Sequence, residues 1–387
     1  MGRSIGLSFG TLKVLPKSCK TAATQHFIPS SSQASRAMAQ RKFPIIDISR
    51  IDEPSSQLRI AREITVASET WGFLLLKHHG IAISDVDHMF QLAHEFFALP
   101  AVEKDGWPIN ADYVGYSGAL SDRKKDDKAS MWLAGRPGDL AARKDALPPY
   151  WHPYIDEVEA FKHACHGLVM KLLVCFAIAM DLPDRNFFAK AHGEEAGMGN
   201  QFRLLSYPAR GHAPASQTTT RMSPHSDSGS VTLLFQTCSG LEVESPTGEW
   251  VAAPHIQDHI LVNLGDALSF WSGGRLRATK HRVTFDGVPH DIERMSMAYF
   301  GAASPETVLQ PVTTSASSIT EAKPYEANGI TIKPGITVGE YGKMIMVRSK
   351  VQTDDSRLTR TLQESIYGSK PKRETESMQP ATVSAAA

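Results

Sequence analysis

Pro224-His225-Ser226-Asp227-Ser228-Gly229-Ser230 runs directly into Val231-Thr232-Leu233-Leu234-Phe235-Gln236. The second half reads as a β-strand, apolar and β-branched behind a Ser/Gly turn. In extended backbone, side chains two residues apart share a face, so His225 and Asp227 point the same way. Downstream, Lys280-His281-Arg282-Val283 carries a further histidine, and Arg294-Met295-Ser296 follows. Two histidines and one carboxylate can hold a non-haem Fe(II) and leave positions open for oxygen and a co-substrate. His225, Asp227 and His281 are therefore the candidate metal ligands.

The short motif does not carry this alone. With 15 His and 41 Asp+Glu in 387 residues, about one or two His-x-Asp/Glu matches arise by chance. His192-Gly193-Glu194 is one, in a Gly- and charge-rich stretch with no β-branched run behind it. It reads as a decoy. His225/Asp227 differs in context: a strand follows, then a third ligand candidate on a later strand, then an anion receptor.

The chain is 42% hydrophobic, enough for one large core or two modest ones. Its formal net charge of zero argues against a nucleic-acid partner. Cys19, Cys165, Cys175 and Cys238 are scattered and form no Cys-x-x-Cys pair, which fits a reducing compartment. The longest apolar run, Leu168 to Leu182, contains Lys171 and is too short for a bilayer. A monomer acting on a small molecule, with no membrane association, is the expectation. Residues 1–41 are basic, Ser/Thr-rich and free of acid. They read as a disordered extension or a transit-like segment, giving a cytoplasmic or, alternatively, a mitochondrial location. Residues 368–387 read as a disordered tail.

Between these ends the pattern changes once. Residues 42–200 begin with a short strand at Lys42–Ile48. A helix follows from Ser55 to Trp71, with Leu58, Ala61, Ile64 and Ala67 on one face and Gly72 as its stop. Phe73–Leu76 reads as a buried strand. Ser84-x-x-Asp87 resembles a capping box opening a helix that Pro100 ends. A long helix from Tyr154 to Met180 aligns Val158, Phe161, Cys165, Leu168, Leu172 and Phe176. Residues 201–367 switch to period two, with strands predicted at 202–207, 231–236, 241–244, 249–252, 259–264, 281–286 and 294–300. A closing helix is predicted from Val338 to Tyr367. Helices followed by seven or eight strands predict an α+β chain with a mainly β core: an antiparallel barrel or jelly roll backed by helices.

In this order the chain resembles the isopenicillin N synthase-like branch of the Fe(II)/2-oxoglutarate-dependent dioxygenases, from about Phe43 to Tyr367. The resemblance is carried by Phe43-Pro44-Ile45-Ile46-Asp47, Trp71-Gly72-Phe73 with His79-Gly80, and Phe96-Phe97-Ala98-Leu99-Pro100. It continues through Arg203-Leu204-Leu205-Ser206-Tyr207-Pro208, the metal segment and Asn263-Leu264-Gly265-Asp266. Gly274-Arg275-Leu276, Lys280-His281-Arg282-Val283 and Arg294-Met295-Ser296 complete it. It implies a double-stranded β-helix with Fe(II) in its mouth, and 2-oxoglutarate and O2 as co-substrates. It also implies oxidative decarboxylation to succinate and CO2 with a ferryl oxidant, then hydroxylation, desaturation or ring rearrangement of a small metabolite. Many plant members carry Asn where this chain has Leu205, so one co-substrate contact departs from the pattern.

Arg294 and Ser296 share one strand face. A guanidinium directed into a barrel needs a counter-charge, and no acid on that strand can supply it. A carboxylate ligand can, bidentate to Arg294 and hydrogen-bonded by Ser296 and Tyr207. The resemblance makes it the distal carboxylate of 2-oxoglutarate. Asn110, Tyr113, Tyr116 and Trp132, with Phe235 and Phe300 from strands, are the pocket candidates. Three other readings stay open: an iron oxidase of the same fold acting without 2-oxoglutarate, a non-catalytic small-ligand-binding relative, and a zinc hydrolase.

Overall fold

Alternating side chains build the centre of this chain, and helices cover one face of what they build. The structure is a computed structural model, and it describes residues 43–351 except 111–112, 119–126, 137, 194–198, 210–219, 285–290 and 313–324. The segments read from sequence at 1–41 and 368–387 lie outside the described residues.

Strand β1 (Ile45–Asp47) leads to helix α1 (Pro54–Thr70), strand β2 (Phe73–Lys77) and helix α2 (Ile83–Ala98). β3 (Val114–Ser117) and β4 (Ala129–Gly135) precede the long helix α3 (Ile155–Ala179). Six strands follow: β5 (Gln201–Tyr207), β6 (Thr220–His225), β7 (Val231–Gln236), β8 (Leu241–Glu244), β9 (Trp250–Ala252) and β10 (His259–Leu264). After the short helix α4 (Asp266–Trp271) come β11 (His281–Thr284), β12 (Arg294–Gly301), β13 (Tyr325–Ala327), β14 (Ile330–Ile332) and helix α5 (Val338–Val351).

The strands form an eight-stranded sheet, β1-β2-β10-β7-β12-β5-β4-β3, and a four-stranded sheet, β6-β11-β8-β9. Together they are the expected double-stranded β-helix. Strands from before residue 200 occupy both ends of the large sheet. Period two sorts each strand's side chains between two cores. Leu74, Leu204, Leu233, Val262 and Met297 join the large core shared with α1 and α3. Phe73, Leu75, Tyr207, Leu241, Val243, Leu261 and Val283 form a smaller core inside the barrel, drawn from both sheets.

Helix α3 turns Val158, Phe161, Cys165, Leu168, Leu172 and Phe176 into the large core, as its spacing predicts. Each large apolar side chain so buried contributes about 1.5–3 kcal/mol. The helix is long and apolar enough to cross a bilayer by composition alone, but this apolar face is already buried against the sheet. Gly72, at φ +64°, ends α1: a Cβ there would lie 2.4 Å from the Arg277 carbonyl oxygen, so only glycine fits between helix and barrel.

Three expectations need correction. Leu58 is 45% exposed, and Ile60 takes the inward position on α1. Ser84 does not cap α2: the helix starts at Ile83 after Ala82, with no side-chain cap bond. The closing helix begins at Val338 as expected, and its expected continuation from 352 to 367 lies outside the described residues. Strands β3, β4, β6, β13 and β14 were not among the expected strands; the first two extend the large sheet at one end.

Candidate metal centre

β6 ends on His225 and β11 begins on His281, and the two are cross-strand partners in the antiparallel register. Their rings stand 4.3 Å apart between centroids. Asp227 lies just past the end of β6 and turns its Oδ1 toward both, 3.9 Å from His225 Nε2 and 3.7 Å from His281 Nε2. One ligand atom from each residue lies within 4.8 Å of the others, and among the described residues no other trio of His, Cys, Asp or Glu is so gathered.

The neighbouring atoms fix which lone pairs face the shared point. His225 Nδ1 contacts the Ser223 carbonyl at 2.8 Å and His281 Nδ1 the Thr279 carbonyl at 3.2 Å. A carbonyl only accepts, so each Nδ1 carries the proton and each Nε2 keeps its lone pair for a metal. Asp227 Oδ2 accepts from Thr232 Oγ1 at 2.7 Å and Asn263 Nδ2 at 2.6 Å, which leaves Oδ1 free. Phe73 meets the His281 ring edge-on at 5.4 Å. Burial, together with the neighbouring His281, pushes His225 down to about 4, so it is neutral near pH 7. Burial alone would raise the Asp227 carboxyl; the two imidazoles and its two hydrogen bonds outweigh that and hold it below its ordinary range. Neutral imidazoles and an ionised carboxylate are the states a divalent cation requires. The residues fit Fe(II).

The metal segment packs tightly against the turn after β10. A Cβ on Gly265 would lie 2.2 Å from the Gly229 carbonyl oxygen, so glycine is required there. The Asp266 amide donates to the Asp227 carbonyl at 2.7 Å. Asp266 Oδ2 in turn accepts from Ser226 Oγ, Asn328 Nδ2 and Tyr341 OH, each at 3.0 Å. Asn328 also brackets the Ser226 peptide, accepting from its N–H at 3.2 Å and donating to its carbonyl at 3.0 Å. Burial raises the Asp266 carboxyl to about 7.

Arg294 stands on the same interior face and is 1% exposed. Its guanidinium lies 4.9 Å over the Tyr207 ring and donates to Gln236 Oε1 at 3.1 Å, Ser239 O at 3.3 Å and Ser296 Oγ at 3.4 Å. Among the described residues no carboxylate pairs with it. Ser296 therefore adjoins it as the shared face predicts. The Tyr207 hydroxyl points to Met222 Sδ at 3.6 Å and also lies within hydrogen-bonding reach of the Arg294 guanidinium.

The pocket candidates divide. Tyr113 stacks on Trp132, with ring centroids 6.1 Å apart. Trp132 and Phe300 flank Arg203, a residue to which the sequence alone gave no role. Phe235 instead packs on Phe161 at 5.3 Å, on the helix side of the sheet. Tyr116 packs on Phe96 at 5.7 Å, and Asn110 Oδ1 accepts from the Val114 amide within its own turn. His192 takes no part in the metal trio. It is buried, 2% exposed, with Nδ1 on the Phe188 carbonyl at 2.7 Å and Nε2 on Ser230 Oγ at 2.8 Å.

Two family models match the chain. The non-haem dioxygenase N-terminal model, described for morphine synthesis, covers residues 43–151, and the 2OG-Fe(II) oxygenase superfamily model covers 199–302. The UPF0676 protein of Schizosaccharomyces pombe is 35% identical over 289 residues, spanning 71% of this chain and 86% of that protein. A 2-oxoglutarate-dependent dioxygenase of a Dothideomycetidae species is 30% identical over 286 residues, 66% of this chain and 84% of that enzyme. A full-length Neurospora crassa protein, solved with alpha-KG and 5-formyluracil, superimposes with a TM-score of 0.64 at 28% identity, over 77% of this chain and 94% of that one. With relatives of this identity and coverage agreeing with both family models, the chain belongs to the 2OG-Fe(II) oxygenase superfamily, as a 2-oxoglutarate- and Fe(II)-dependent dioxygenase of its isopenicillin N synthase-like branch.

Proposed function

We propose that His225, Asp227 and His281 seat the iron. In the same reading, Arg294 and Ser296 bind the far carboxylate of 2-oxoglutarate across the Tyr207 ring. The enzyme then oxidises a C–H bond of a small organic metabolite, by hydroxylation, desaturation or rearrangement, releasing succinate and CO2. The observation that carries this is the buried Arg294 guanidinium, which no carboxylate among the described residues pairs with, on the interior face that the metal trio shares. Iron with its keto-acid co-substrate supplies the oxidising power when bound. The protein's own work is positional. Thr232 and Asn263 aim Asp227, two backbone carbonyls set the imidazole tautomers, and Phe73 walls off His281. Leu205, Leu234 and Leu261 keep the interior apolar, which strengthens an Arg294–carboxylate pair by excluding water. A small metabolite is supported by the Neurospora crassa relative, crystallised with a single modified base.

Anaerobic addition of Fe(II) and then 2-oxoglutarate should give a visible charge-transfer band. Arg294→Ala should weaken 2-oxoglutarate by about 10²–10³-fold, the equivalent of losing one partner of a buried pair. Unchanged affinity in that variant would refute the assignment. Screening metabolites for stimulated succinate release, with mass spectrometry for oxygen gained or hydrogen lost, identifies the substrate and reaction.

A further inference from the structure

Ser226 lies between two of the metal-site residues, so its N–H belongs to the peptide plane shared with His225 and its carbonyl to the plane shared with Asp227. One side chain reaches both planes. Asn328 Oδ1 accepts from the Ser226 N–H at 3.2 Å, and Asn328 Nδ2 donates to the Ser226 carbonyl at 3.0 Å. The same Nδ2 donates to Asp266 Oδ2 at 3.0 Å, and the Asp266 amide in turn holds the Asp227 carbonyl at 2.7 Å.

Asn328 comes from a late and separate part of the fold. It opens the turn between β13 and β14 at φ +48°, with Gly329 behind it at φ +73°. Asn followed by Gly is the pair that such a turn favours. The two strands form a sheet of their own, and an isolated two-stranded hairpin is marginally stable. Its tip is therefore fixed by what it packs on. Arg348 on α5 donates to the Gly329 carbonyl at 3.1 Å, and Ala327, Ile330 and Ile332 are buried in the large core. Tyr341, also on α5, completes the group on Asp266 Oδ2 at 3.0 Å.

A turn asparagine with a purely structural task needs only to satisfy backbone within its own turn. This one applies both halves of its amide to the residue flanked by His225 and Asp227. Resting on the iron site proposed above, we propose that Asn328 is a positioning residue for the metal. The hairpin tip fixes the two peptide planes at Ser226, and with them the approach of the His225 and Asp227 side chains to a common point. The coupling is reciprocal: a docked tip that favours the metal is favoured by the metal to the same factor.

The test is Fe(II) titration of the full chain by calorimetry under nitrogen, with the visible spectrum of the Co(II)-loaded protein as a reading of ligand geometry. Asn328→Gly keeps the turn, because glycine takes a positive φ without strain, and deletes only the amide side chain. It should weaken Fe(II) by about 10-fold or more, as loss of an outer partner of metal ligands does, and alter the Co(II) band. Thr331→Ala is the control: it removes an exposed Thr331–Glu326 side-chain bond within the hairpin and should leave the Fe(II) constant within about twofold. In hydrogen exchange, Fe(II) should slow the amides of residues 325–332 in the wild type and not in Asn328→Gly. A clasp that only stabilised the fold would lower the melting temperature without moving the titration or the band.

The proposal is overturned if Asn328→Gly keeps the wild-type constant and spectrum, if Thr331→Ala weakens Fe(II) as much, or if exchange at 325–332 in the wild type ignores the metal. Should Asn328→Gly fail to fold by circular dichroism, that wild-type exchange experiment decides alone. A wild type that takes up no Fe(II) removes the iron reading itself. A wild type that binds Fe(II), beside a variant that binds it equally well, removes only the role of Asn328.

Discussion

Around Asp227 the polar atoms are tied down, whereas Arg203 keeps one nitrogen sealed from solvent without a hydrogen bond. Asp227 Oδ2 has two donors, both imidazole Nδ1 atoms have carbonyls, and the free atoms face one point. A few residues away on the same interior surface, Arg203 Nε has nothing. A metal needs its ligands preset, because reorganising them weakens its binding. The two regions of one interior surface thus differ in how completely their polar atoms are satisfied.

The most severe way to break the tied-down side is His281→Ala, which should abolish both the Fe(II)·2-oxoglutarate band and succinate formation. Next is Asn263→Ala, which removes no ligand yet should weaken Fe(II) by about 10–100-fold, as outer partners of metal ligands do. An Fe(II) titration indistinguishable from wild type would show that Asp227 is not oriented by its neighbours. His192 sharpens the comparison through pH. Burial holds its imidazole down to about 4, while an unfolded chain takes the proton near the ordinary value of about 6.5. Between those values the unfolded state binds more protons, so stability falls as pH falls through that window. The wild type should lose up to about 3 kcal/mol relative to His192→Gln between pH 7 and 4. Urea melts with parallel pH dependence in the two proteins would contradict this. The smallest effect expected is in Ser296→Ala, a loss of about 1 kcal/mol of 2-oxoglutarate binding, read as a severalfold rise in its Kd.

Much of the tied-down side was legible in the chain. His-x-Asp before a strand, a later histidine and Arg-x-Ser are local patterns whose chemistry depends on residue type and parity. Parity also explains an error. Gln236 pairs with Ser296, so it and Ser296 share the interior face and Phe235 must face the helices; reading Phe235 by its aromatic character ignored that register. Arg203 escaped notice because its meaning is not local. The rings that flank it come from β4 and β12, and β4 itself gave no clear period in a stretch rich in charge. Leu58 was misplaced for a simpler reason: Ile60, Ala61, Ile64 and Ala67 make an equally good stripe, and spacing alone does not rank two overlapping stripes.

The clasp on Ser226 has a consequence for how the protein is made. Asn328, which brackets that peptide, emerges from the ribosome 102 residues after it, and Tyr341 trails Asp266 by 75. Synthesis runs at about 5–20 residues per second, so the nascent chain carries all three side chains of the metal trio for several seconds before Asn328 and Tyr341 arrive to complete the clasp. Iron offered during translation therefore meets a cradle that still lacks its Asn328 and Tyr341 contacts.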